Sequence, residues 1–288
     1  MLQKLGLDSP KPNLDKWKQI VERITNPHER VRIAVVGKYT DYQDSYKSVV
    51  ESLIHGGIAN DVGVDITWVS SERFTDAEHT RDALIDVDGL LVPGGFGVRG
   101  VEGMVEAIRY ARESNLPFFG ICLGMQTAII EFARNVCGID DSNSSEFAPE
   151  CDNAVISLME SQQHVTDVGG TMRLGAYPCR LARGSRAAEI YGQTEVSERH
   201  RHRYEVSNRY RDQFVQQGMK LSGLSPDGQL VEIIELAKHP WFIGCQFHPE
   251  LQSRPTRPHP LFAGFIDAAV EAKASRAERK RAVLEKAE

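Results

Sequence analysis

The amino-acid sequence predicts an α/β fold, a doubly wound and mostly parallel sheet with a smaller strand-rich region inserted in it. Two observations carry this expectation. From Val31 to Ile121, short and almost continuously apolar runs alternate with helical stretches of about 10–15 residues, the pattern of parallel strands covered on both faces. After Asp140 the alternation stops, and strand-like segments follow one another with little helix between them.

In chain order, residues 1–29 hold Pro10, Pro12 and one amphipathic piece, Leu14, Trp17, Ile20, Val21 and Ile24. That composition reads as a linker or the remnant of an adjoining domain. Val31–Gly37 is β-rich and closed by glycine, and Tyr46, Val49, Val50, Leu53 and Ile54 then recur at helical spacing. Val64–Val69 reads as the next strand, Asp76–Leu84 as a helix and Gly89–Val92 as a third strand. Met104, Ile108 and Tyr110 mark a further helix ahead of the apolar run Asn115–Phe119. A polar loop over 141–146 opens the inserted region. Its expected strands are Ala154–Met159, Thr171–Leu181, Tyr204–Ser207, Leu230–Leu236 and Phe242–Phe247. A helix over Pro260–Val270 leads into a charged tail, 273–288, read as solvated helix or disorder. No internal repeat is found, so the expected division is 1–29, a globular domain over 30–272, and the tail.

Composition narrows the function classes. A chain of 288 residues with 41% hydrophobic content can bury a large core. Its net charge of −6 argues against a general nucleic-acid binder. No run approaches the roughly 18 apolar residues of a membrane span, and the first residues reach Asp8 and Pro10 too soon for a signal peptide. A cytoplasmic protein is expected. The cysteines Cys122, Cys137, Cys151, Cys179 and Cys245 form no Cys-x-x-Cys pair, which fits reduced thiols. Histidines and cysteines never cluster at ligand spacing, so no metal site is expected.

The chemistry centres on Gly120-Ile121-Cys122-Leu123-Gly124. A nucleophile flanked by glycines between a strand and a helix sits on a sharp, strained turn with its side chain presented outward. The apolar run before it and the unbroken stretch Gln126–Ile130 after it supply that context. A thiol there also feels the positive end of the helix dipole. His248 follows the apolar strand Trp241–Phe247, and Glu250 lies two residues later with Pro249 fixing the intervening φ. A base and the carboxylate that orients it are thereby placed where a strand ends. Either Cys122 or His248 alone reads better as a structural residue; the elbow, the strand exit and the His/Glu pair together point to catalysis. Pro93-Gly94-Gly95-Phe96-Gly97 closes another strand and is suited to an oxyanion hole, with Leu123 N–H as second donor. Gly37-Lys38-Tyr39-Thr40 lacks the first glycine and the Ser/Thr of a phosphate loop, which argues against ATP binding of that type. Arg199-His200-Arg201-His202-Arg203 reads either as an anion site, with one Arg for a substrate carboxylate, or as a solvated edge strand.

These segments together resemble the glutaminase domain of the CTP synthase family, within the class I (triad) glutamine amidotransferases. Gly-Ile-Cys-Leu-Gly-Met-Gln (120–126) and Gln-Phe-His-Pro-Glu (246–250) are similar to the wider class. The narrower likeness lies in Val-Gly-Lys-Tyr (36–39), Asp-Ser-Tyr-Lys-Ser-Val (44–49), residues 92–104, Gly-Gly-Thr-Met-Arg-Leu-Gly (169–175), Glu-Arg-His-Arg-His-Arg-Tyr-Glu-Val (198–206) and 259–265. The resemblance implies the flavodoxin-like class I glutaminase fold. It also implies a triad of Cys122, His248 and Glu250 that hydrolyses L-glutamine through a γ-glutamyl thioester. It makes Gly95 and Leu123 the oxyanion hole, and Gly95, Phe96, Gln126, Glu146 and Arg203 the glutamine contacts. Lys47, Phe96 and Arg99 become candidates for the lid and for GTP, the family's activator. No cofactor is implied in this domain. ATP and Mg²⁺ belong to a synthetase domain that takes the ammonia to turn UTP into CTP, in a homotetrameric enzyme. That domain is absent from this sequence, residues 1–29 match the linker after it, and the chain alone is expected as a monomer or dimer.

Two alternatives use the same residues differently. One is a cysteine hydrolase of this fold acting on γ-glutamyl peptides, which Glu146 and Arg203 argue against by confining the substrate to free glutamine. The other is a non-catalytic glutamine- or nucleotide-sensing module, which the intact triad argues against.

Overall fold

The computed structural model describes residues 2–7, 12–40, 42–158 and 172–285. The expected strand ends at Met159 and Thr171, and residues 169–171 of one family segment, lie outside the described residues. A nine-stranded sheet runs through the molecule in the order β2-β1-β3-β4-β12-β11-β10-β7-β8. Its first half is parallel: β2 (Gly63–Ser70), β1 (Arg30–Gly37), β3 (Gly89–Val92), β4 (Phe118–Ile121) and β12 (Phe242–Cys245). The second half is antiparallel: β11 (Val231–Leu236), β10 (Met219–Leu224), β7 (Arg173–Leu181) and β8 (Glu195–His202). The strand-rich region thus extends the main sheet. Among the described residues only β5 (Asn143–Ser144), β6 (Ala154–Ser157) and β9 (Glu205–Val206) form a separate small sheet.

Strand periodicity explains why the parallel half is apolar throughout. On β1, Val31, Ile33 and Val35 face one core, while Ala34 and Val36 face the other. The first core packs against α2 (Lys47–Asn60) and α8 (Pro260–Glu285); the second packs against α4 (Val101–Ser114) and α5 (Leu123–Asn135). Both faces are covered, so a polar residue at any of these positions would be buried. The remaining α-helices among the described residues are α1 (Asp15–Thr25), α3 (Ala77–Leu84), α6 (Arg186–Tyr191) and α7 (Arg211–Gln216). Asp76, ahead of α3, accepts from the N–H groups of Glu78 and His79, which caps the helix as its residue type favours.

Two expectations change in detail. Helix α8 does not stop near Val270 but continues to Glu285. Lys273 binds Glu29 at 2.9 Å, and Arg276 binds Asp88 at 2.6 Å, so part of the charged tail lies against the parallel half. The Arg-His-Arg-His-Arg run is the edge strand β8, but only its arginine face is wet. Burial alternates along it, leaving Arg199 and Arg201 exposed and His200 and His202 buried. Among the described residues no helix is long and apolar enough to cross a membrane.

Candidate active site

Topology assembles the site. The strands β3, β4 and β12 are adjacent and parallel, and their carboxyl ends release Gly94-Gly95, Cys122 and His248 side by side. Cleft-forming loops gather at such strand ends in open α/β sheets.

Cys122 stands between β4 and α5 with φ +53° and ψ −101°, a backbone conformation that costs a non-glycine residue on the order of 1–3 kcal/mol. The turn is over-determined by its surroundings. Cys122 N–H donates to the Cys245 carbonyl at 2.7 Å. A Cβ on Gly124 would lie 2.1 Å from the Val92 carbonyl oxygen, so only glycine lets α5 start this close to β3. Gly94 is held to the same requirement, since a Cβ there would stand 2.9 Å from His248 Cε1 and 3.6 Å from Cys122 Cβ.

His248 Nδ1 lies 2.7 Å from Glu250 Oε1, and its backbone N–H donates to the Arg199 carbonyl at 2.7 Å. The thiol and imidazole are close neighbours, with His248 Nε2 just short of hydrogen-bond geometry. His248 Nε2 is buried without a partner, and Cys122 Sγ accepts from Gln246 Nε2 at 3.7 Å. Burial opposes protonation of His248, yet the neighbouring Cys122 and Glu250 outweigh it and push its pKa up to about 11. An imidazole ready to hold a proton beside a sulfur can serve acyl transfer. Burial pushes the thiols of Cys137, Cys179 and Cys245 up instead, as for inert structural cysteines.

A cavity of about 70 Å³ brings together Gly95, Phe96, Cys122, Gln126, Glu146 and Arg203, every residue expected to contact glutamine. Arg203 Nε is buried in this region without a partner. Gln126 Nε2 donates at 3.2 Å to the Tyr204 carbonyl and at 3.2 Å to Gln246 Oε1. Glu146 Oε1 accepts from Gly97 N–H at 2.9 Å. Leu123 opens α5, so its N–H has no acceptor within the helix. A second cavity of about 320 Å³ shares Gly95, Phe96 and Cys122 and is lined further by Tyr39, Tyr46 and His248.

The lid candidates separate. Phe96 borders both cavities and is half exposed. Arg99 is engaged elsewhere, with Glu72 at 3.0 Å and the Lys38 carbonyl at 2.7 Å. Lys47 lies between Tyr46 and Ser48, which line the larger cavity, and is not itself among the lining residues.

Sequence reasoning missed Lys38. It is 5% exposed, and its ammonium donates to the carbonyls of Phe96 and Gly97, tying that glycine-rich segment to the end of β1. Burial pushes its pKa down to about 8, opposed by Glu146 and aided by Arg99. A lysine directly after a buried strand was the available signal. Gln246, between Gln126 and Cys122, was also unassigned.

Residues 41–268 match the family model described as glutamine amidotransferase class-I. CTP synthase of Geobacter sulfurreducens is 54% identical over 277 residues, covering 96% of this chain and 52% of the relative. CTP synthase of Ruminiclostridium cellulolyticum is 56% identical over 271 residues, covering 94% of this chain and 50% of the relative. The chain therefore spans about half the length of the curated relatives it matches. The solved glutaminase domain of Trypanosoma brucei CTPS, with bound acivicin, superposes with a TM-score of 0.79 at 40% identity, covering 84% of this chain and 94% of that one. The chain belongs to the class-I glutamine amidotransferase family, as a glutaminase domain of the CTP synthase type.

Proposed function

We propose that this chain hydrolyses L-glutamine through Cys122, His248 and Glu250 and delivers the ammonia to a synthetase partner. The observation that carries the reading is the strained Cys122 elbow facing the Glu250-held His248, beside a cavity that gathers all the expected glutamine contacts. Cys122 Sγ attacks the side-chain amide carbon, and its proton resides on His248. Gly95 and Leu123 N–H groups take the developing oxyanion. His248 gives the proton to the departing ammonia, leaving a γ-glutamyl thioester. It then takes a proton from water, whose attack releases glutamate. Glu250 keeps Nδ1 protonated and the ring aligned. Arg203 pairs with the α-carboxylate of glutamine and Glu146 with its ammonium.

The ammonia is used for ATP-dependent amination of UTP to CTP by the portion of the relatives that this chain does not span. Mg²⁺ and ATP belong there. Among the described residues there is no group of three or more His, Cys, Asp or Glu that could hold a metal ion. GTP acts as effector near Phe96, with Lys47 and Arg99 flanking the lid, and the whole enzyme is a homotetramer in the cytoplasm. Residues 1–29 serve as linker, 30–272 as the glutaminase and 273–288 as its C-terminal extension.

The test is glutamate release from L-glutamine, with GTP present, by wild type and Cys122→Ala. Release that depends on Cys122 supports the reading; equal rates overturn it.

A further inference from the structure

Behind the glutamine cavity, five ionisable side chains from four strands pack together. Arg173 on β7 donates to Glu205 Oε1 on β9 at 3.2 Å and to Glu232 Oε1 on β11 at 2.9 Å. On β8, His200 and His202 hydrogen-bond each other at 2.8 Å. His202 Nδ1 lies 3.2 Å from the Tyr204 carbonyl and 3.5 Å from Glu205 Oε1. Glu205, Glu232 and both histidines are each at most 2% exposed. Such a cluster is an expensive way to fill a core, since apolar residues of the same volume would serve stability as well or better. One guanidinium serves two carboxylates, and Glu205 Oε2 and Glu232 Oε2 remain without a partner.

What the cluster supports is the arch from His202 to Glu205, where the chain crosses from the large sheet to the small one. Arg203 stands on that arch. The Tyr204 carbonyl beside it is shared by His202 below and Gln126 in the cavity wall. Among the described residues Arg203 makes no side-chain hydrogen bond, and its Nε is buried without a partner. The aim of its guanidinium therefore depends on the backbone beneath it.

We propose that Arg173, with Glu205, Glu232 and His202, positions Arg203 to receive the α-carboxylate of glutamine. This rests on the proposed glutaminase function and deepens it. Arg173 touches no substrate; it is a positioning residue acting through the arch. Burial pushes the Glu205 carboxyl up to about 8 against the pull of Arg173, so a neutral Glu205 is the form that Arg173 and Glu232 accommodate at neutral pH.

The test compares two reagents on Cys122 in the 288-residue chain, each followed by peptide mass spectrometry. The diazo-ketone 6-diazo-5-oxo-L-norleucine carries the amino-acid head of glutamine and needs Arg203; iodoacetamide does not. In Arg173→Met, the diazo-ketone should modify Cys122 roughly ten-fold or more slowly, while the iodoacetamide rate stays within roughly two-fold of wild type. Glu205→Ala should behave likewise, and Glu205→Gln, which keeps a neutral hydrogen-bonding group, should restore the diazo-ketone rate. If Arg173→Met does not fold, the ratio of the two rates in Glu205→Ala and Glu205→Gln decides. Equal slowing with both reagents, or slowing with neither, overturns the inference and leaves the cluster as a staple between the sheets. Failure of the wild type to react with the diazo-ketone would instead overturn the glutaminase reading itself.

Discussion

His248 Nδ1 and Glu250 Oε1 lie 2.7 Å apart at the end of β12, with the imidazole held between a carboxylate and a cysteine. In the proposed triad the carboxylate fixes which nitrogen carries the proton when the ring is neutral, and Nε2 serves the sulfur. Glu250→Gln should lower kcat for glutamine hydrolysis by roughly 100-fold or more, because a positioned general base contributes about 10²–10⁴. Steady-state ammonia release checks this; a rate within a factor of a few of wild type would contradict the orienting role.

Arg203 is assigned a binding role, so its loss should fall on the substrate constant. Arg203→Ala is expected to raise KM for glutamine by roughly 10–100-fold, corresponding to about 1.5–3 kcal/mol for a charge-assisted hydrogen bond. A variant whose KM is unchanged and whose kcat collapses would assign the residue to the chemical step instead.

Gly124 permits the elbow by its missing Cβ. In Gly124→Ala that atom would meet the Val92 carbonyl at 2.1 Å, and backbone cannot swing aside as a side chain can. Overpacking of this kind costs about 1–3 kcal/mol. Denaturant melts should report that loss, and activity should fall further than stability because the strand–helix spacing sets the Cys122 geometry. An unchanged midpoint would show that the elbow has slack.

The buried cluster should shape stability against pH. Burial, aided by Arg173, pushes His200 down from 6.5 to about 2. Burial and Arg173 likewise push His202 down to about 3. Up to pH 6.5 the unfolded chain therefore binds protons that the folded chain refuses, and stability rises with pH. Glu205 acts in the opposite sense. Its carboxyl moves from 4.5 to about 8, so the folded chain keeps a proton that the unfolded chain has lost, and stability falls between those values. Glu232 is shifted in the same direction. Below 6.5 these falls oppose the two rising contributions; above it the rises are complete, and His248, raised from 6.5 to about 11, adds a further fall. Glu205→Gln should abolish roughly 2 kcal/mol of the decline between about pH 6.5 and 8. Thermal melts across that range check it; a decline as steep in the variant as in wild type would contradict the assignment.

Much of the site was legible because its signals are local. Gly120, Cys122 and Gly124 span a single turn, and His248, Pro249 and Glu250 are consecutive or nearly so. The parallel strands were legible because burial on both faces leaves apolar runs such as Val31–Val36. Pairing partners were not, because register depends on residues far apart. Strand β10 went unread, and nothing local to β7 says that it joins β10 in the main sheet. The inward face of β8 was legible in principle, since Arg-His-Arg-His-Arg alternates with strand period, but the arginines dominated the reading. The Arg173–Glu232 contact joins residues 59 apart and exists only after folding. The length of α8 was missed for a similar reason: its charged residues look solvated until Asp88 and Glu29 are known to face them.

Cys122 is proposed as the single nucleophile for a glutamine-like electrophile, and mass spectrometry after exposure to 6-diazo-5-oxo-L-norleucine is the decisive measurement. One adduct on the Cys122 peptide, absent from Cys122→Ala and prevented by excess L-glutamine, is the expected result. An adduct on Cys137, Cys151, Cys179 or Cys245, or none at all, would contradict it.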